Sequence, residues 1–199
     1  MHPGLPPPPL PELQVIELGA DSVPVLQRFF EANPLYFLSV NGEPPQPTEA
    51  HEEITEDLPT GWQYTKKWVL GFADSSGSLV AMANVVSDLF APSVWHVSTF
   101  IVATSRHGRG DAQVLYRSLE SWAHGNGARW LRLGVVHGNI RAERFWERQG
   151  FIQVRLRSGV SMGKLTNTLR VMFKSLAGGS MPEYLALVER DRPEEYSAA

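Results

Sequence analysis

Apolar and polar positions change their spacing several times along the chain, and each change marks an element. Gln14 to Leu18 reads as a short first strand. Val23, Leu26, Phe29 and Phe30 then share one helical face, with Asp21 or Ser22 as the cap and Pro24 in the first turn. Asn33-Pro34 stops that helix, because the residue before a proline is pushed out of the α region. Leu35 to Pro47 shows no period and is expected to be irregular. Thr48 is placed to cap a short acidic helix running to about Leu58, which Pro59 to Gly61 ends.

Strands come next. Trp68 to Ala73 and Leu79 to Val86 form a hairpin around Asp74-Ser75-Ser76-Gly77, and Val94 to Ala103 is a further β segment. From Gly110 the period lengthens, with Ala112, Leu115, Tyr116, Leu119, Trp122 and Ala123 at helical spacing up to Gly125-Asn126-Gly127. Leu131, Leu133 and Val135 alternate as a fifth strand. Asn139 then caps a helix that buries Ala142, Phe145 and Trp146 and stops at Gly150. Two final strands are expected at Phe151 to Arg157 and Leu169 to Leu176. The order β-αα-βββ-α-β-α-ββ predicts an α/β (α+β) fold, a central mixed β-sheet flanked by helices.

Composition changes this picture only at its edges. The 199 residues suffice for one domain with a sizeable core. The expected divisions are a proline-rich flexible arm at 1–12, the main domain at 13–177, and a linker and C-terminal tail at 178–199. Tyr184 to Val188, an apolar run in that tail, is expected to dock on its own domain or on a partner chain, which would make a homodimer. A formal net charge of −3 gives no broad basic surface, so nucleic acid and anionic membranes are not expected partners. No apolar run approaches the roughly 18 residues a bilayer span needs. The first residues lack the basic and apolar parts of a signal peptide, so a cytoplasmic setting is expected. Cysteine is absent, and no histidine–carboxylate spacing suggests a metal site.

The candidate chemistry begins at Ser105-Arg106-His107-Gly108-Arg109-Gly110-Asp111-Ala112, between a strand and a helix. Glycines there let the chain turn sharply and bring backbone N–H groups near a ligand. The helix that follows adds unpaired amides and the positive end of its dipole, which together suit a pyrophosphate. A plain strand-to-helix turn reads the same way. The loop lacks the Lys-Ser/Thr of a P-loop and the full Rossmann glycine pattern.

A second run, Leu131-x-Leu133-x-Val135-x-x-x-Asn139-x-x-Ala142-x-x-Phe145-Trp146-x-x-x-Gly150-Phe151, follows at a set interval. With it, the chain resembles the GNAT (Gcn5-related N-acetyltransferase) superfamily. Gly110 and Ala112 take the two small positions of that family's pyrophosphate loop, and His107 stands where Gln or Arg is usual. The resemblance implies acetyl-CoA in a V-shaped opening between splayed fourth and fifth strands, with no metal required. Backbone groups of Phe100, Ile101 and Val102 would meet the pantetheine arm. Amides of Gly108, Arg109, Gly110, Asp111 and Ala112 would hold the pyrophosphate, with His107 near it. Asn139, Ala142 and Trp146 would flank the rest of the cofactor; Asn139 also reads simply as a cap. The implied activity is transfer of the acetyl group to a primary amine of a small molecule or peptide. The alternatives are a non-catalytic acyl-CoA-binding or sensor protein, or an unrelated α/β domain holding another phosphate.

Two departures from the family matter. Trp146 stands where a tyrosine often serves as acid, and indole cannot act as an acid near neutral pH. The fourth strand reads Trp95-His96-Val97-Ser98-Thr99, without the glutamate that often acts as base. Replacement candidates are His137 at the end of the fifth strand, His96 on the fourth, and Tyr36 in the irregular segment; each also reads as packing. The acidic run Glu49 to Asp57 reads as a solvated helix face, or as an attraction for a cationic acceptor.

Overall fold

The computed structural model describes residues 4–194. The strands are β1 (Gln14–Glu17), β2 (Lys66–Ala73), β3 (Leu79–Ser87), β4 (Val94–Val102), β5 (Trp130–Val136), β6 (Ile152–Met162) and β7 (Leu165–Ser175). The helices are α1 (Val23–Ala32), α2 (Leu35–Val40), α3 (Glu49–Thr55), α4 (Asp111–Gly125), α5 (Ile140–Arg148) and α6 (Met181–Leu187). The strands make one mixed sheet in the order β1-β2-β3-β4-β5-β7-β6.

Only one pairing in this sheet is parallel, and it is short. β4 and β5 pair from Val94 with Trp130 to Val97 with Leu133. Both strands run on beyond that point without pairing to each other, so a V opens between them. Its cause is visible one strand away. In the β3–β4 ladder, Val85 faces Val97 and Asn84 faces Thr99, which leaves Ser98 as the extra residue of a bulge. A bulge bends its strand and increases local twist, so β4 turns away from β5 where the V begins. The bulge also switches the alternation of side chains. Trp95 and Val97 face the core beneath α4 before it, and Phe100 and Val102 face that core after it.

The two sheet faces bury different partners. Leu115, Tyr116, Leu119 and Trp146 from α4 and α5 cover one face. Leu26, Phe29, Phe30 and Phe37 from α1 and α2 cover the other, over Met82 and Ile101. A third cluster holds Tyr184, Leu185 and Val188 against Val94, Trp130 and Phe173. The tail therefore docks on its own domain, with Tyr184 stacked on Phe173 at 4.6 Å between centroids.

Four expectations change. Leu35–Val40 is a helix rather than irregular chain, because Phe37 and Val40, three apart, are both buried and Phe37 packs edge-on against Phe30. The acidic helix ends at Thr55, and the Thr48 side chain makes no cap bond. The expected loop 158–168 is mostly strand, its polar residues having hidden the long β6–β7 hairpin. That hairpin reaches α2, where Asn167 Nδ2 donates to the Val40 carbonyl at 2.8 Å. The arm, expected to be flexible, lies on α4: Trp122 Nε1 donates to the Gly4 carbonyl and Ser118 Oγ to that of Pro7. The first three residues of the arm and the last five of the tail lie outside the described residues. Among the described residues, no helix is long and apolar enough to cross a membrane.

Candidate active site

The V leads into a cleft of about 560 Å³. One wall is the expected loop. A short 3-10 turn, Thr104–Arg106, is tied to α1 by Asn33, whose Oδ1 accepts from the Thr104 amide at 2.7 Å. Gly108 and Gly110 then take φ of 78° and 86°, the left-handed region that glycine enters without strain. Gly110 is the N-cap of α4; its carbonyl accepts from the Gln113 and Val114 amides, and the Asp111 and Ala112 amides ahead of them have no partner within the helix. A Cβ built on either glycine would meet nothing within 4 Å, so both border open space. The loop thus presents backbone donors to the cleft, which suits an anion.

The opposite wall comes from α5. Asn139 Oδ1 accepts from the Ala142 amide at 3.3 Å, so it caps the helix, and it also lines the cleft. Phe100 from β4 lies parallel to Phe145 at 6.1 Å, and Trp146 packs edge-on to Tyr116 at 5.3 Å. Three arginines unforeseen in the sequence border the same space: Arg106, Arg141 and Arg148. Arg141 and Arg148 are seven apart, two turns along one helix face, which is the signal that could have found them.

Most of the expected cofactor residues meet in this cleft. Phe100, Ile101, Val102, His107, Gly108, Gly110, Ala112, Ala142 and Trp146 all line it, as does Tyr36 from α2. His107 is turned inward, its Nε2 donating to the Val102 carbonyl at 2.9 Å, so that carbonyl is already engaged. Asp111 instead pairs with Arg106 at 3.0 Å, and neither Asp111 nor Arg109 borders the cleft.

Two of the three proton-transfer candidates are placed elsewhere. His96 lies at the paired end of β4, beneath the tail, with Nδ1–H donating to the Arg132 carbonyl at 3.0 Å. Burial, with the Arg132 charge adding to it, pushes its pKa down to about 3. It lies before the Ser98 bulge, at the paired end of the V, and does not border the cleft. Arg132 itself is fixed by two 2.7 Å bonds to Asp191. His137 sits just past β5, 58% exposed, with Nδ1 3.1 Å from Glu143. It does not border the cleft.

Tyr36 is the candidate that reaches the cleft, and it leads to a residue missed in the sequence. Burial, and then the charge of Glu53, raise the Tyr36 pKa, so the phenol keeps its proton. Glu53, on α3, accepts from Asn84 Nδ2 at 2.7 Å and from Thr99 Oγ1 at 3.5 Å. Thr99 follows the bulge on β4, so a carboxylate does reach the fourth strand, from a helix instead of from the strand itself. Burial raises the Glu53 pKa above the usual carboxylate range, while the Asn84 bond and the Lys67 charge oppose that rise. The expected solvated face therefore does not hold for Glu53. The remaining glutamates stack at Glu49, Glu52 and Glu56, like charges that cost an isolated helix about 0.2–0.5 kcal/mol per close pair.

Known proteins share this fold. A family model described as the acetyltransferase (GNAT) family matches residues 28–151. No curated protein matches the chain. Among solved structures, an acetyltransferase of Thermus thermophilus is similar at 20% identity and a TM-score of 0.63, covering 82% of this chain and 97% of its own. The spermidine N-acetyltransferase of Vibrio cholerae, in complex with CoA and spermine, is similar at 15% identity and a TM-score of 0.61, over 82% of this chain and 95% of its own. The ribosomal-protein alanine N-acetyltransferase of Escherichia coli is similar at 13% identity and a TM-score of 0.61, over 85% of this chain and 97% of its own. At these identities the likeness is one of fold.

Proposed function

The chain belongs to the GNAT acetyltransferase family, and on that premise we propose that it moves the acetyl group of acetyl-CoA onto a primary amine of a small molecule or peptide. The observation that supports this most is the position of the V, which opens beside the Gly108–Ala112 loop and a cleft of about 560 Å³. The acceptors named for the neighbours, spermidine and a protein alanine, are amines as well.

The residues present fit the co-substrate. Open space over Gly108 and Gly110 leaves room for a pyrophosphate against their amides. Arg141 and Arg148 add positive charge around the same space, and Arg106 borders it while paired with Asp111. Phe100, Ile101, Ala142 and Trp146 offer the apolar lining a pantetheine arm needs, and Asn139 adds a polar contact. When bound, acetyl-CoA supplies the activated acetyl thioester.

The chain's own groups then manage protons. Glu53 takes the proton that the acceptor amine must lose, a task suited to a carboxylate whose pKa burial has raised. Tyr36 keeps its proton and donates a hydrogen bond where negative charge develops. Trp146 supplies packing and no acid. A thiol pKa of about 8.5 lets a thiolate leave without full protonation. His137 is assigned a rim contact, and His96 is left out of the chemistry. A homodimer through the tail is not carried forward, since Tyr184 and Leu185 are consumed by contact with their own domain. A cytoplasmic setting stays part of the proposal.

The test is free-thiol release by the full chain with acetyl-CoA and a panel of primary amines. Amine-dependent release matched by N-acetylated product supports the reading. Micromolar CoA binding without turnover on any amine would instead leave a non-catalytic acyl-CoA-binding protein.

A further inference from the structure

A second cavity, of about 280 Å³, lies on the α3 side of the sheet. Its floor includes Asn84 of β3 and Ser98, the bulged residue where the V begins. Its walls are Glu49, Glu52, Glu53, Glu56 and Asp57. We propose that this cavity is the acceptor subsite and that the acceptor is a small aliphatic amine carrying a second cationic centre. The proposal rests on the acetyl-transfer reading and names its substrate class.

Three observations carry it. First, the glutamates fall at i, i+3, i+4 and i+7, so α3 and its C-cap turn one acidic stripe toward the cavity. Lys67 is the one cation among the lining residues, and its Nζ is held by the backbone carbonyls of Glu53 and Glu56. Second, Asn84 is only 7% exposed, and its Nδ2 is committed to Glu53 while its Oδ1 has no hydrogen-bond partner. A buried amide oxygen in that state calls for a donor, which an ammonium supplies. Third, the charge is spread out. Among the described residues no three carboxylates or imidazoles come together as a metal-holding group. Seven residues of helical rise separate Glu49 from Glu56 by about 10 Å, a span that fits two ammonium groups on one short carbon chain. Burial and mutual repulsion also hold Glu49 and Glu53 above the usual carboxylate range, as a cation-binding stripe without its cation would be. Glu53, part-buried beside Thr99, then faces the amine that reacts, while the exposed Glu52 and Glu56 hold the other.

The test compares 1,4-diaminobutane with butylamine, using the full chain, acetyl-CoA and thiol release. The diamine should show kcat/KM at least about tenfold higher, an advantage that shrinks with added salt. The double variant Glu52→Gln, Glu56→Gln should raise KM for the diamine about tenfold more than KM for butylamine and leave CoA affinity as it was. Equal kcat/KM for the two amines, or a double variant indifferent to the diamine, would overturn the proposal. So would a lysine-rich peptide acetylated faster than either. If neither amine turns over, calorimetry of 1,4-diaminobutane against CoA-saturated protein separates the two readings. Binding that the double variant loses keeps the cation subsite and removes the transfer reading; no binding overturns the subsite.

Discussion

The two sides of the V are built from different material. On the cofactor side, one continuous stretch, Thr104 to Ala112, supplies backbone amides, and glycines at φ near 80° expose them. On the side proposed for the acceptor, Tyr36, Glu53, Asn84 and Thr99 arrive from α2, α3, β3 and β4, and the groups on offer are side chains. A site made of main chain tolerates little at a few positions and almost anything elsewhere. A site made of side chains from four elements can be retuned residue by residue without disturbing its partner. The two sides should therefore fail separately.

The largest effect is expected at the loop. Gly110→Glu forces a side chain into the left-handed region and places a negative charge where a pyrophosphate would lie. Together these should weaken CoA binding by about 10³-fold, read by calorimetry, while 1,4-diaminobutane binding stays as it was. Unchanged CoA affinity would remove the pyrophosphate assignment.

Glu53→Gln reverses the pattern: kcat should fall about 10²-fold with CoA affinity intact. The wild-type rate should fall as pH drops through the Glu53 pKa. Because burial raises that pKa, the acid limb should lie above the usual carboxylate range of about 4.3. A pH profile identical in the Gln variant would break the base assignment.

A control that should touch neither side comes next. His96 has a folded pKa of about 3 against about 6.5 when unfolded, so only the unfolded chain gains a proton as pH falls below about 6.5. Stability from this group is intact well above that pH and is lost on acidification, by about 1.6 kcal/mol between pH 6.5 and pH 5. Denaturant melts of wild type and His96→Gln at the two pH values should differ by that amount. Equal slopes would show His96 exposed or charged in the folded state. The smallest effect is expected for Tyr36→Phe, about a tenfold loss of kcat through one lost hydrogen bond, with CoA affinity nearly unchanged.

The same contrast explains what the sequence made legible. Gly108, Gly110, Asn139 and the apolar spacing around Trp146 are local signals, because turns, caps and helix faces are decided by near neighbours. The splay was expected from family resemblance, but its local cause, the Ser98 bulge, is a property of the β3–β4 register, and no spacing within β4 reports it. Glu53 read as solvated because an acidic helix is solvated by default, and only the packing of α3 over Asn84 and Thr99 makes it an exception. His96 falls within the four-residue β4–β5 pairing, and no spacing within β4 shows where that pairing ends. Residues Met181–Leu187 read as tail because seven residues after two glycines carry no period of their own; burial against Trp130 and Phe173 makes them part of the domain.

The central claim is that cofactor and acceptor meet at the apex of the V. Its most direct measurement follows free thiol and N-acetylated product together, from acetyl-CoA and 1,4-diaminobutane, in wild type, Gly110→Glu and Glu53→Gln. The account predicts equal thiol and product in wild type, a loss in Gly110→Glu that high acetyl-CoA restores, and a loss in Glu53→Gln that it does not. Thiol release without an amine requirement, or two variants that acetyl-CoA restores alike, would contradict it.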